Sequence, residues 1–76
     1  MTRLPDVTGA RVVRALERAG FVVVRVSGSH HRLVHPNDPT KATTVPVHGT
    51  KSLRKGTLRN ILNQSGVTVE QLIALL

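Results

Sequence analysis

Apolar residues recur at helical spacing near the start of the chain. The four that fall on one face of the predicted helix are Val12, Ala15, Leu16 and Ala19. Thr8 has the side chain of a helix N-cap, and Gly20 follows the last apolar position as a helix stop. This arrangement puts Phe21 where it can fold back on Leu16, the apolar contact that accompanies a glycine stop. The pattern therefore predicts a first helix between Thr8 and Gly20.

Short segments rich in β-branched residues follow this helix. Phe21 to Ser27 contains four valines and predicts a strand, and Gly28-Ser29 suits a two-residue type II′ turn. His30 to His35 is then the returning strand of a hairpin. Pro36 to Pro39 is dense in turn residues, and Ala42 to Val47 predicts a third strand. The proline within this third segment indicates a strand at a sheet edge or a strand end.

The last third of the chain predicts two further helices. A basic loop over Gly49 to Lys55 leads into a helix that begins near Thr57 and ends at Gly66. Its apolar positions are Leu58, Ile61 and Leu62. Thr68 caps the final helix, and Gln71 follows three residues later, as a capping box requires.

The predicted order is a helix, three strands and two helices, which defines a single α+β domain over residues 1–76. A three-stranded antiparallel sheet packed on helices has one open face, and we expect the functional residues there. With a two-residue turn, Ser27 pairs with His30 and Arg25 pairs with Arg32 on this open face. The inner face then receives Val22, Val24, Val26 and Leu33, together with His31 and His35.

Positive charge is concentrated in the middle of the chain. The 76 residues contain 11 Lys and Arg against 4 Asp and Glu, a net charge of +7. The segment from Arg25 to Asn60 holds seven cations against Asp38 alone and so carries +6. Such a concentration points to a polyanion, and nucleic acid is the commonest polyanion in a cell. Phe21 is the only aromatic residue, which disfavours modules that stack bases on rows of aromatics.

Composition excludes several other classes of protein. Cysteine is absent, so the chain has no disulfide framework, thiolate nucleophile or cysteine-based zinc site. No stretch approaches the roughly 20 apolar residues of a membrane span, and no apolar run follows the first residues as a secretory signal needs. We therefore expect a cytoplasmic protein with no membrane partner.

His30 is the strongest candidate for chemistry, because it lies beside two guanidinium groups on the open face. Arginines directly opposite each other repel, so stability gives no reason for Arg25 and Arg32 to pair, whereas an anion between them does. His48 is a further candidate, since alternation along the third strand places it on the side of Pro46.

The four histidines also raise the question of a metal. His31 and His35 are four residues apart, which on a strand separates them by about 13 Å, too far for one ion. His30 and His31 point to opposite faces of their strand. We therefore expect no metal and no cofactor. We expect a phosphate-binding site instead at the start of the helix near Thr57, where unpaired backbone N–H groups lie next to three cations. These cations are Lys51, Arg54 and Lys55.

Seven short motifs occur in an order and spacing that resemble one family. They are Ala19-Gly20-Phe21, Gly28-Ser29-His30-His31, His35-Pro36, Val45-Pro46-Val47-His48-Gly49, Lys55-Gly56-Thr57-Leu58, Ile61-Leu62 and Gly66. Together they resemble the HicA family, the small toxins of bacterial and archaeal HicA-HicB toxin-antitoxin pairs. The resemblance covers nearly the whole chain.

The resemblance implies a fold similar to a double-stranded-RNA-binding domain and an activity as a ribosome-independent mRNA endoribonuclease. It implies one essential histidine in the glycine-rich hairpin motif, which maps to His30, with His31 as the alternative, and it includes Ser29 in that motif. The implied partners are an mRNA substrate and a HicB-like antitoxin that covers the active face.

Metal-free RNA cleavage needs a proton acceptor for the 2′-hydroxyl and cations for the charge that develops on the phosphate. His30 fits the role of general base or acid, and Arg25 and Arg32 fit that of phosphate ligands. Lys55 and the helix start at Thr57 would anchor a neighbouring phosphate. A non-catalytic module of the double-stranded-RNA type is the alternative. A third interpretation is an interaction subunit that binds through the apolar residues Leu72, Ile73 and Leu76.

Overall fold

The computed structural model describes residues 3–76 and has the predicted α+β architecture. The helices are α1 (Gly9–Arg18), α2 (Lys55–Ser65) and α3 (Val69–Leu75), and the strands are β1 (Val22–Ser27), β2 (His30–His35) and β3 (Asp38–Pro46). The strands form one antiparallel sheet in the order β1-β2-β3, so β1 and β3 are its edges. None of the helices in residues 3–76 is long and apolar enough to cross a membrane.

The core lies between the helices and one face of the sheet. Leu33, Thr43 and Val45 are fully buried on the inner face of β2 and β3. The buried helical residues that cover them include Val12, Leu16, Leu58, Ile61 and Leu72. Thr43 is a polar member of this core, and its hydroxyl donates to Gln64 Oε1 at 2.8 Å. With the inner face covered in this way, the other face of the sheet is open to solvent.

The predicted ends of α1 and α3 are confirmed. The Phe21 N–H donates to the Leu16 carbonyl at 2.9 Å across Gly20, which has a φ of 100°. Because that φ is in the region glycine adopts without strain, the chain turns sharply from α1 into β1. At α3, Thr68 and Gln71 form both hydrogen bonds of the predicted capping box.

The start of α2 differs from the prediction by two residues. The helix begins at Lys55 rather than near Thr57, and Arg54 is an N-cap without a side-chain cap. The Leu58 N–H donates to the Arg54 carbonyl at 2.9 Å and closes the first turn early. The preceding residue, Leu53, is anchored by its own N–H on the Val7 carbonyl at 2.8 Å. A tertiary contact therefore sets where the helix begins, instead of the threonine that sequence indicated as the start.

The predicted pairing of β1 fails from Val22 to Val24, whereas Val26 pairs with His31 as predicted. The pairing of β1 with β2 shifts between Val23 and Arg25, so Val23, not Val24, is opposite Leu33. Val22 and Val24 have 49% and 57% of their surface exposed, whereas Val23 packs against the core. Val26 stays on the inner side opposite His31, and 57% of its surface is exposed there. A β-bulge at Val24 adds one residue to the strand and moves every residue before it to the other face.

β3 begins earlier than predicted. The turn is limited to Pro36-Asn37, and the strand starts at Asp38 and includes Pro39. The register of β2 with β3 shifts between Val34 and His35, which pairs with Asp38. Proline is tolerated here because β3 is an edge strand and the regular pairing is interrupted.

Candidate functional site

Two cross-strand pairs lie side by side on the open face of the sheet, as predicted. Ser27 is opposite His30 and Arg25 is opposite Arg32. On the other side of β2, Thr44 is opposite Arg32 and Pro46 is opposite His30. The two-residue turn at Gly28-Ser29 fixes this register, and Gly28 has a φ of 57° that suits its place in the turn.

The Arg25–Arg32 pair borders a shallow depression of about 330 Å³. Its lining residues are Arg25, Ser27, His30, Arg32 and Thr44, which include no carboxylate. All five side chains are exposed. The Arg32 Nη1 donates to Thr44 Oγ1 at 3.3 Å, which steers this guanidinium along the sheet face. The depression thus joins two fixed positive charges, two hydroxyls and an imidazole.

The two adjacent histidines at the start of β2 lie on opposite faces of the sheet. His30 is exposed on the open face, and His31 is half-buried on the inner face between the positions of Val26 and Val45. The Nδ1 of His31 is buried without a hydrogen-bond partner among the described residues.

His35 has a structural environment at the far end of β2. Its Nδ1 accepts the Asn37 N–H at 3.2 Å, and its ring meets the Phe21 ring edge-on with centroids 5.2 Å apart. It is also close to Gly20, where an added Cβ would lie 3.1 Å from the His35 Nε2. His35 therefore belongs with the turns that end α1 and join β2 to β3.

A second basic depression of about 400 Å³ adjoins the hairpin tip. Its lining residues include His48, Lys51, Arg54 and Thr57, together with Pro46, Ser52 and Leu53. The Val47 N–H donates to the Ser29 carbonyl at 2.7 Å, which holds the loop after β3 against the turn. Because His30 pairs with Pro46, the two depressions lie on either side of this pair. Ser29 itself is half-buried, and this carbonyl contact is made by its main chain.

Lys55 is separated from the other predicted phosphate ligands by an ion pair. Its Nζ lies 2.7 Å from Asp6 Oδ1 and donates to the Leu4 carbonyl at 3.0 Å. The hydrogen bond and charge of Lys55 hold the pKa of Asp6 below its ordinary value of 3.8. The structure therefore brings His48, Lys51, Arg54 and Thr57 together, while Lys55 is directed at the N-terminal segment.

Thr44 lines the first depression, although the sequence does not single it out as a candidate. Its signal was present in the alternation of β3, which puts Thr44 on the same face as Pro46. No group of three or more His, Cys, Asp or Glu side chains within residues 3–76 is arranged to hold a metal ion. The two depressions are lined by guanidinium, ammonium, imidazole and hydroxyl groups.

The fold and this face define a small basic α+β protein whose one exposed β2 histidine lies among arginines. The family model described as the HicA toxin of bacterial toxin-antitoxin matches residues 9–67, so it includes the whole hairpin and the basic loop. The chain belongs to this family of toxins, and membership implies a cognate antitoxin as partner. No curated protein matches the chain.

Proposed function

We propose that this toxin is a ribosome-independent, metal-independent mRNA endoribonuclease that cleaves RNA at the open-face depression. The observation that carries the proposal is the pairing of Arg25 with Arg32 beside an exposed His30. Like charges directly opposite each other destabilise a hairpin, so the pair is explained by an anion that both guanidinium groups bind. A phosphodiester is the anion that an RNA substrate supplies.

The reaction is an internal phosphoryl transfer. The 2′-oxygen attacks the adjacent phosphorus, the bond to the 5′-oxygen breaks, and the products carry a 2′,3′-cyclic phosphate and a 5′-hydroxyl. His30 accepts the 2′-hydroxyl proton as general base, and the departing 5′-oxygen takes a proton from water. Arg25 and Arg32 stabilise the extra negative charge on the phosphate oxygens in the transition state. Ser27 and Thr44 supply hydrogen bonds at the edge of the depression.

The second basic depression would bind a neighbouring phosphate of the same RNA. Lys51 and Arg54 contribute charge there, and His48 contributes a hydrogen-bond donor. The N–H of Thr57 belongs to the first turn of α2, where backbone donors have no helical partner. Lys55 joins this group only when an RNA phosphate displaces Asp6. A cognate antitoxin of the HicB type would inhibit the enzyme by covering the same face.

The test compares single histidine variants of the full chain. His30→Ala should abolish cleavage of a labelled mRNA and growth arrest on expression, with its circular dichroism spectrum unchanged. His48→Ala is the matched control for loss of an exposed histidine, and it should weaken cleavage only through substrate binding. A folded His30→Ala variant that still cleaves would overturn the role of His30, and an inactive His31→Ala variant with active His30→Ala would move the chemistry to His31.

The assay is run with and without EDTA. Cleavage that persists in EDTA and yields a 2′,3′-cyclic phosphate by mass spectrometry supports the proposed mechanism. Cleavage that EDTA stops contradicts metal independence. Binding of RNA without any cleavage would favour the non-catalytic module instead of an enzyme.

A further inference from the structure

A row of arginines on α1 lies outside the site described above. Arg11, Arg14 and Arg18 recur at intervals of three and four residues, so they project from one side of the helix. All three are exposed and border a small depression of about 150 Å³ with Leu76. At 1.5 Å per residue the row extends about 10.5 Å along the helix axis.

Local stability gives no reason for Arg11 and Arg14 to be basic, whereas Arg18 stands in the last turn of α1, where the helix dipole favours a cation. Like charges three or four residues apart on a helix repel, and α1 has no acidic residue in its first turn. Arg11 stands in that turn, where the positive end of the helix dipole makes a cation unfavourable. Among residues 3–76, no carboxylate forms an ion pair with Arg11 or Arg14.

One member of the row also has a structural contact. The Arg18 Nη1 donates to the Leu75 carbonyl at 2.6 Å and so ties α1 to the end of α3. The side chains of Arg11 and Arg14 are exposed and make no such contact with the part of the chain that the structure describes.

The chemistry around the row favours phosphates over a protein partner. The exposed positions of α1 are the three arginines and Glu17, with no apolar side chain among them. Protein interfaces are centred on buried apolar and aromatic residues, which the exposed positions of α1 do not offer. Contacts to a nucleic-acid backbone need only cations and hydrogen-bond donors.

We propose that Arg11 and Arg14 bind the phosphate backbone of an RNA whose other part occupies the His30 depression. This inference rests on the proposed function, because it takes RNA as the substrate. The row lies on the helical side of the sheet and His30 lies on the open side, and the molecule is 18 Å across in its shortest dimension. A long RNA can therefore pass around the domain and touch both surfaces, while a tetranucleotide in the depression touches only one.

The experiment measures binding of the wild-type chain and variants to single-stranded 2′-O-methyl RNA, which lacks the attacking hydroxyl. A long RNA and a tetranucleotide are compared by fluorescence anisotropy at several salt concentrations. The test variant is Arg11→Gln with Arg14→Gln, because glutamine keeps helix propensity and removes charge. The control, Lys41→Gln with Arg59→Gln, removes the same net charge from exposed positions elsewhere. Circular dichroism checks that all variants fold.

We expect the double α1 variant to weaken binding of the long RNA roughly tenfold or more at about 0.1 M salt. Its plot of log K against log salt should become less steep by roughly 1.4, since two single-strand phosphate contacts are lost. Tetranucleotide affinity should not change, and Arg11→Lys with Arg14→Lys should retain binding. A long-RNA affinity and salt slope that match those of the charge-matched control would overturn the inference.

A separate measurement keeps the proposed function apart from this result. Wild-type cleavage of an unmodified tetranucleotide reports on the His30 site alone. Absence of that cleavage contradicts the proposed catalysis, whereas the anisotropy comparison still decides whether Arg11 and Arg14 bind RNA.

Discussion

Arg25 and Arg32 are held opposite each other by the hairpin register, and neither is buried. A protein selected only for stability would place opposite charges, or a charge and a polar group, at these two positions. The cost is small because both side chains are in water. Stability and activity should therefore respond in opposite directions when one of the arginines is neutralised.

Arg25→Gln tests this opposition at a single residue. We expect unfolding in urea to become more difficult by a few tenths of a kcal/mol, because about that much cross-strand repulsion is removed. RNA cleavage should fall about 10²-fold, the typical loss for one group that stabilises transition-state charge. Arg59→Gln, on the exposed side of α2, serves as the control and should change neither quantity appreciably. A less stable variant with full cleavage would contradict both expectations.

The first turn of α1 packs directly on the end of β3. A Cβ added at Gly9 would lie 2.0 Å from the Pro46 carbonyl oxygen and 3.1 Å from the Val47 Cα. Both neighbours are backbone atoms, so neither can rotate away. This contact fixes the end of β3, from which the loop containing His48 continues. The φ of Gly9 is not positive, so glycine is required here because a side chain would not fit and not because of the backbone conformation.

Gly9→Ala and Gly56→Ala form a matched pair that tests this contact. Both glycines lie in the first turn of a helix, but a Cβ at Gly56 meets nothing within 4 Å. We expect Gly9→Ala to lower the free energy of unfolding by about 1–3 kcal/mol through overpacking. Gly56→Ala should raise it by up to about 1 kcal/mol through helix propensity. Urea unfolding of the two variants measures the difference, and equal effects would refute the steric explanation.

Elements whose ends are determined by local chemistry were predictable from the sequence. The Gly20 stop of α1, the Thr68 capping box and the Gly28-Ser29 turn all involve residues close in the chain. The Gly28-Ser29 turn sets the register of the hairpin and so predicts the Arg25–Arg32 and Ser27–His30 pairs, which form the centre of the candidate site.

The remaining differences arise from contacts between distant residues. No residue type near Val24 signals a bulge in a run of valines, because each valine suits either face of a strand. The start of α2 depends on the Leu53–Val7 hydrogen bond, and the position of Lys55 depends on Asp6. Neither pairing can be read from the spacing of residues in the sequence, which therefore predicts Lys55 beside Lys51 and Arg54.

The charge of the whole molecule makes its stability sensitive to acid. With a net charge of +7, each carboxylate that becomes protonated increases repulsion in the compact state. Asp6 and Asp38 both have a pKa below the ordinary 3.8, Asp6 through Lys55 and Asp38 through the hydrogen bond donated by Thr40. A carboxyl with a lowered pKa in the folded state stabilises that state above its unfolded pKa. This contribution is lost as the pH falls through the folded pKa.

Asp6→Asn isolates the ion pair that joins the N-terminal segment to α2. At pH 7 the variant should melt at a lower temperature than wild type, because Lys55 loses its charged partner. The difference should hold above about pH 4 and disappear as the pH falls through the folded-state pKa of Asp6, which lies below 3.8. The melting temperatures of wild type and variant, followed by circular dichroism from pH 7 to pH 2, give this difference at each pH. Lys55→Gln should reproduce the loss at pH 7, and the double variant should lose no more than either single one, because both remove one interaction. A melting difference that stays constant down to pH 2 would mean that Asp6 acts through something other than its charge.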